Sequence, residues 1–328
     1  MVAARAGVSR ATASRVLRGE SNVSEAARDA VLRAADEMSY TVNRAARSLV
    51  TRRSDTVAFL VAETGDRMFT DPYFLGVLRG AQAEAASAGL QVVFVIASTP
   101  TELKQFIAYV GGGHVDGVLL VSLHGDNEMA ERLEAMGVPT VFNGRPFSPE
   151  AGLYSVDSDN LDGGRQATEL LVSLGASTIT TITGPLDMSA GQDRLAGYRA
   201  ALRSAGHRFG RERVVEGDFS VEGGARAMTR LLDQVPDLDA VFAASDLTAL
   251  GAMRVLAERG RRVPDDVAIV GFDDVREARL TTPTLSTIRQ PLDDLGRTMT
   301  RVLLSRLLGA GSEQRTVLPV DLIRRQSA

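Results

Sequence analysis

Cysteine and tryptophan are both absent from the 328 residues. Without thiols the chain has no disulfide, no thiol nucleophile and no cysteine-built zinc site, which suits a reducing compartment. Histidine occurs only at His114, His124 and His207, with no H-E-x-x-H spacing, so a zinc hydrolase is not expected. Long apolar runs are missing as well. The longest, such as "VDGVLLVS", fall far short of a membrane span, and no stretch of signal-peptide length opens the chain. A cytoplasmic protein with no membrane partner is expected. Lysine is nearly missing, one residue against 36 arginines, as a GC-rich genome produces. The glycine-rich "GGGH" at 111–114 follows no clear strand with G-x-G-x-x-G spacing, and no G-x-x-x-x-G-K-[ST] occurs, so neither a nucleotide cofactor nor any other is expected.

What is present is unevenly distributed. Residues 1–53 carry ten arginines against five acids, a net of +5, while the remainder carries a net of -9. A basic head on an acidic body fits a head that meets a polyanion, although a solvated basic surface would give the same charge. In "VAARAGVSRATASRVL", Gly7 can take the positive φ that stops a short helix, and Ser9 stands where the next helix needs an N-cap. Ala13, Val16 and Leu17 then share one face, with Arg10, Ala11, Ser14 and Arg15 on the others. Two helices joined by such a turn form a helix-turn-helix, whose second helix enters the major groove. Ser24 is the expected cap of a third helix buried along Val31, Ala34, Ala35 and Met38.

The head, through "SRVL", "VSEAAR" and "NRAARSL", resembles that of the lactose-repressor (LacI/GalR) family of bacterial transcription regulators. The resemblance implies that Arg10, Ala11 and Arg15 face base edges, where an arginine can pair bidentately with guanine and an alanine can only touch a thymine methyl or leave space. Ser9, Thr12 and Ser14 would hold phosphates and fix register. For Arg10 a phosphate contact or solvation is the competing assignment. The resemblance also places Ala45, Ala46 and Leu49 on a hinge helix that forms when two subunits lie on DNA, with Leu49 wedged into the minor groove. Alone this segment is too short to offset its nucleation cost, and Leu49 packed beneath the body is the alternative. Val42 departs from the family's usual proline. Relatives carry several residues ahead of the "VA" of helix one, so the first turn and its phosphate contacts are expected to be missing here.

From residue 56 the texture changes to short Val- and Ile-rich runs alternating with Ala-rich helical stretches, and after about residue 157 the cadence restarts. This predicts an α/β body of two doubly wound parallel-sheet lobes, with ligand bound where strand C-termini face one another. The expected division is 1–41 helix-turn-helix, 42–55 hinge and linker, and 56–328 effector-binding and dimerisation body. Its first lobe spans about 56–156 and 289–315, its second about 157–288 and 316–328.

The body resembles the periplasmic-binding-protein-like core of the same family, through "DPYF", "VDGVLL", "DMSAGQDRLAGYRAAL", "AASDLTALGAMRVLAERGRRVPDDVAIVGFDD" and "LSTIRQP". The resemblance implies effector contacts from Arg194 and Asp273, with Ser245 where many members have asparagine. Gln290 would lie in a strand crossing between lobes, and Tyr73, Phe74 and Phe219 would cover the apolar face of a pyranose. Simpler roles compete: Phe74 as core, Asp273 as a helix cap, Arg194 as a structural ion pair. Met188 stands where the purine-responsive branch has a basic residue, which favours a sugar. "VSLHGDNEMAERLEAMGVPTVFNGRP" and "ITGPLDMSAG" are similar to regulators of cello-oligosaccharide or β-glucoside use in high-GC bacteria. The implied function is a repressor whose affinity for a palindromic double-stranded operator is set by a small sugar. No apolar heptad tail for a tetramerising coil occurs, so a homodimer is expected. A secreted sugar-binding protein, or an α/β enzyme acting on a sugar or nucleotide, fails to explain the first 53 residues.

Overall fold

Gly7 takes φ +67° and turns the chain between the helices Val2–Arg5 and Arg10–Leu17. The computed structural model describes residues 1–17, 22–38, 40, 53–125, 128–147 and 152–328. The hinge residues Ala45, Ala46 and Leu49 lie outside these. The chain divides into two units, Met1–Ser54 and Asp55–Ala328.

In the first unit the Ser9 hydroxyl accepts from the Thr12 backbone N–H at 3.0 Å, the expected cap. Ser24 caps the third helix, Glu25–Glu37, through the N–H of Ala27. The three helices close over Val2, Ala13, Val16, Val31 and Ala34, and Arg5 reaches Glu37 at 2.9 Å to tie the first helix to the third. So small a core is what three short amphipathic helices can bury.

The second unit is built from strands β1 (Thr56–Val61), β2 (Gln91–Ile96), β3 (Gly117–Val121), β4 (Thr140–Asn143) and β5 (Tyr154–Ser158), then β6 (Ile179–Thr183), β7 (Val214–Glu216), β8 (Ala240–Ala243), β9 (Ala268–Asp273), β10 (Ser286–Arg289), β11 (Arg315–Leu318) and β12 (Asp321–Ile323). They form two six-stranded sheets, ordered β11-β5-β4-β3-β1-β2 and β12-β10-β9-β8-β6-β7. All pairings are parallel except β12 against β10. β3 and β9 are buried along their whole lengths, as strands covered on both faces must be, which accounts for their unbroken apolar runs.

The chain crosses between lobes three times, after Ser158, after Arg289 and after Leu318. Each crossing stands one to three residues later than the sequence reading placed it. Asp157 and Ser158 complete β5 of the first sheet, Arg289 completes β10 of the second, and 316–318 complete β11 of the first. Hydrogen-bond register carries each strand past the point where its apolar run fades. Gln290, expected within a crossing strand, lies just beyond β10, because pairing with β9 ends at Arg289 opposite Asp273.

Candidate functional site

The C-terminal ends of β4, β5 and β9 and the loops after β3, β6 and β8 open onto one cleft between the lobes. A crevice outside the carboxyl ends of the strands is where an open α/β sheet binds its ligand. All seven residues anticipated around an effector line it: Tyr73, Phe74, Arg194, Phe219, Ser245, Asp273 and Gln290. Met188 lines it as well, so its wall is apolar at that point.

Arg194 arrives on the helix Ser189–Ser204 and is almost fully buried. Its Nε donates to Asn160 at 2.8 Å, its Nη1 donates to the carbonyl of Ala244, and its guanidinium carbon lies 3.7 Å from the Phe272 ring centroid. Asp273 stands 3.8 Å away. Burial pulls the Arg194 guanidinium below its ordinary value, opposed by Asp273, Tyr73 and the other carboxylates around it. Asp273, at φ +115°, accepts from Gln290 Nε2 at 2.6 Å. Burial pushes its carboxyl up to about 7, with Arg194 holding it back. The helix-cap alternative is not met: the short helix Arg276–Arg279 that follows has no side-chain cap, and the Val275 N–H donates instead to Asp246 at 2.9 Å, which also accepts from the Thr287 hydroxyl at 2.5 Å.

Ser245 spends its hydroxyl locally. It accepts from the Thr248 N–H, shares a hydrogen bond with the Thr248 hydroxyl and lies 3.2 Å from the Phe219 carbonyl. It therefore shapes the cleft more than it offers a free donor. Phe219 adopts φ +64°, a conformation costly for a bulky side chain. Its ring seats against Gly184, where a Cβ would come within 2.0 Å of the ring. Phe74 is both core and wall: it is 1% exposed, packs in the first lobe's core and meets Tyr73 edge-on at 5.5 Å. The Tyr73 hydroxyl donates to Asn143 Oδ1 at 2.5 Å.

Further wall residues were not anticipated, namely Arg67, Asp71, Ser122, Asn143, Asp157 and Asn160. Asp157 accepts from the Ser158 N–H and from Asn160 Nδ2, both at 2.9 Å. Burial and the nearby Asp193 push its carboxyl up to about 7. Asp71 caps the helix Pro72–Ser87 through the Tyr73 N–H, and burial raises its carboxyl too. Three buried carboxylates beside two arginines suit hydroxyl donors, because each carboxylate accepts from several sides.

Two polar bridges span the lobes at the cleft edge. His124 places Nε2 at 2.9 Å from Glu63 and Nδ1 at 3.0 Å from Asp187, and the Gly125 N–H donates to the Asp187 carbonyl at 2.9 Å. Arg145 forks onto Asp193, and its backbone N–H donates to the Ser189 hydroxyl at 3.1 Å.

In the first unit Arg10, Ala11, Ser14 and Arg15 are exposed on the second helix, opposite buried Ala13 and Val16. Ser9 and Thr12 hold each other's hydroxyls at 2.9 Å while remaining at the surface. An exposed face carrying two arginines, one at the helix start and one in its second half, is what a recognition helix presents to a groove. Among the described residues no cluster of histidine and carboxylate side chains could hold a metal ion, and no helix is long and apolar enough to cross a membrane.

Two family models match the sequence. Residues 2–43 match the bacterial regulatory proteins of the lacI family, and residues 168–328 match a periplasmic binding protein-like domain. The HTH-type transcriptional regulator CelR of Thermobifida fusca is 47% identical over 329 residues, covering 100% of this chain and 97% of that protein. A solved CelR-cellobiose complex superposes with a TM-score of 0.82 at 45% identity, covering 100% of this chain and 98% of the other. The lac repressor dimer bound to operator and the anti-inducer ONPF superposes with a TM-score of 0.86 at 29% identity, covering 99% and 97%.

Proposed function

Because this chain belongs to the LacI family of bacterial regulatory proteins, and is therefore a DNA-binding transcriptional regulator rather than an enzyme, we propose that it is a cytoplasmic repressor governed by a neutral β-linked gluco-oligosaccharide of the cellobiose kind. The sugar sits between the lobes and lowers the affinity of a homodimer for a palindromic operator. The cleft wall is the observation that carries this reading. Carboxylates from both lobes and the crossings (Asp71, Asp157, Asp273) stand with Asn143, Asn160 and Gln290 around the aromatic faces of Tyr73, Phe74 and Phe219. Aromatic rings take the C–H faces of a pyranose, and a ring of acceptors takes its hydroxyls. The complex of the similar CelR protein with cellobiose supports the same class.

In the first unit, Arg10, Ala11 and Arg15 read bases and Ser9, Thr12 and Ser14 hold phosphates. The hinge residues Ala45, Ala46 and Leu49 enter the minor groove. Phe69, Leu75 and Leu280 are exposed apolar side chains on the body, and a homodimer would cover surface of this kind. The lac repressor dimer on its operator supports two-fold binding.

Calorimetry with cellobiose, glucose and cellobiose 6-phosphate tests the effector class. A palindromic duplex selected from a random library tests the DNA role by fluorescence anisotropy. Cellobiose is expected to bind and to release the duplex, whose affinity falls steeply with salt. Binding of none of these sugars, or turnover of any, would overturn the reading.

A further inference from the structure

Two arginines face the cleft, and their donors are committed differently. Arg194 is held by Asn160, by the Ala244 carbonyl and against the Phe272 ring, so its fork is largely satisfied by the protein. Arg67, on the short helix Gly65–Thr70, donates from Nη1 to Glu63, and its side chain makes no other hydrogen bond among the described residues. Its Nε is buried from solvent and has no acceptor. Folded proteins satisfy such groups with protein, water or ligand, because a buried donor without an acceptor is costly. The same Glu63 oxygen also accepts from Ser122 at 2.6 Å and meets His124 at 2.9 Å, so the guanidinium is anchored through Nη1 while its Nε keeps a donor without a partner. Its central carbon stands 5.8 Å from the Phe74 ring centroid in the first lobe and 5.3 Å from that of Phe219 in the second. One cation thus touches an aromatic wall from each side of the cleft.

We propose that Arg67 is an effector-contacting, specificity-determining residue whose Nε–H donates to a hydroxyl or ring oxygen of a saccharide seated against Phe74 and Phe219. The proposal rests on the saccharide reading above. The ligand is neutral: Glu63 already balances the Arg67 charge, and an anion entering here would meet Asp71, Asp157 and Asp273 in the same wall. The donor is directional, so lysine cannot replace it even though lysine keeps the ion pair with Glu63.

Calorimetry with cellobiose on the full-length wild type, Arg67→Gln and Arg67→Lys tests this, with melting temperature and sugar-free operator affinity measured on each. Loss of one charge-assisted hydrogen bond predicts a roughly 10- to 100-fold weaker cellobiose affinity in both variants. Arg67→Lys should melt and bind operator as the wild type does, and cellobiose 6-phosphate should bind more weakly than cellobiose to the wild type. Wild-type cellobiose affinity in either folded variant would overturn the proposal. So would tighter binding of the phosphorylated sugar, or a loss of sugar affinity in Arg67→Lys matched by a lost melting transition. A wild type that binds no neutral oligosaccharide overturns the saccharide reading and this proposal with it. Wild-type binding with unaffected variants overturns this proposal alone.

Discussion

His124 is the titratable member of the contacts that bridge the lobes, and two carboxylates, Glu63 and Asp187, face its two ring nitrogens. Only the imidazolium donates from both nitrogens, so a neutral ring must give up either the Glu63 contact within the first lobe or the Asp187 contact across the lobes. The hydrogen bond to Glu63 raises the His124 value above the ordinary one, burial opposes this, and Asp187 adds to the rise. Glu63 is buried, yet the donors His124, Arg67 and Ser122 hold it below the ordinary carboxylate range, so it stays charged opposite the ring. A raised histidine value means that the bridge contributes fully below the ordinary pKa and is lost as pH climbs through the raised one. Cellobiose affinity is therefore expected to lose the contribution of this bridge across that window, as calorimetry at several pH values would show. The His124→Gln variant is expected to lose that part of the dependence while keeping the part set by Asp157 and Asp273, whose carboxyls burial pushes up to about 7. Arg194 was legible from "RLAGY" and Asp273 from "GFDD", because each sits in a motif with a fixed place in the fold. Arg67, Asp157 and Asn160 were not, because "GDRMFT" and the β5 crossing carry no periodic signal and acquire meaning only when the lobes meet. Arg194→Ala leaves Asp273 and Asp157 without their buried cation, and is expected to cost roughly 3–5 kcal/mol of body stability in denaturant unfolding.

At the scale of the element, the cleft is built by backbone as much as by side chains. Gly184, directly after β6, gives the Phe219 ring its seat, and the left-handed backbone at Phe219 aims the ring across the opening. Gly184→Ala would drive a Cβ into that ring and is expected to destabilise the body by about 1–3 kcal/mol while weakening cellobiose binding, read by thermal unfolding and calorimetry. In the head, Gly7, Ser9 and Ser24 announced two helix starts and one stop, since turn and cap chemistry is local and needs no tertiary context. Ser9→Ala removes a cap and is expected to cost about 1 kcal/mol of head stability, measured by circular dichroism. If Ser9 also holds a phosphate, operator affinity falls further than that loss explains. The strand ends were the least legible elements. Pairing partners, rather than the strand's own residues, decided that β5 runs to Ser158, β10 to Arg289 and β11 to Leu318.

Across the whole molecule, the alternation of apolar runs and helices was enough to divide the body into two doubly wound lobes, because a parallel sheet must be covered on both faces. What that alternation could not carry is where the chain passes between them, and those crossings bring Asp157, Asn160 and Gln290 to the cleft. The central claim is one of linkage: a sugar that favours one arrangement of the lobes must change operator affinity by its differential affinity for the two arrangements, and operator must change sugar affinity by the same factor. The most direct measurement is fluorescence anisotropy of a selected palindromic duplex, titrated with the protein in the absence and presence of saturating cellobiose at fixed salt. The account predicts at least a tenfold weaker operator affinity with cellobiose, and a reciprocal loss of cellobiose affinity on the operator-bound protein. An operator affinity unmoved by cellobiose that calorimetry shows to be bound would contradict it.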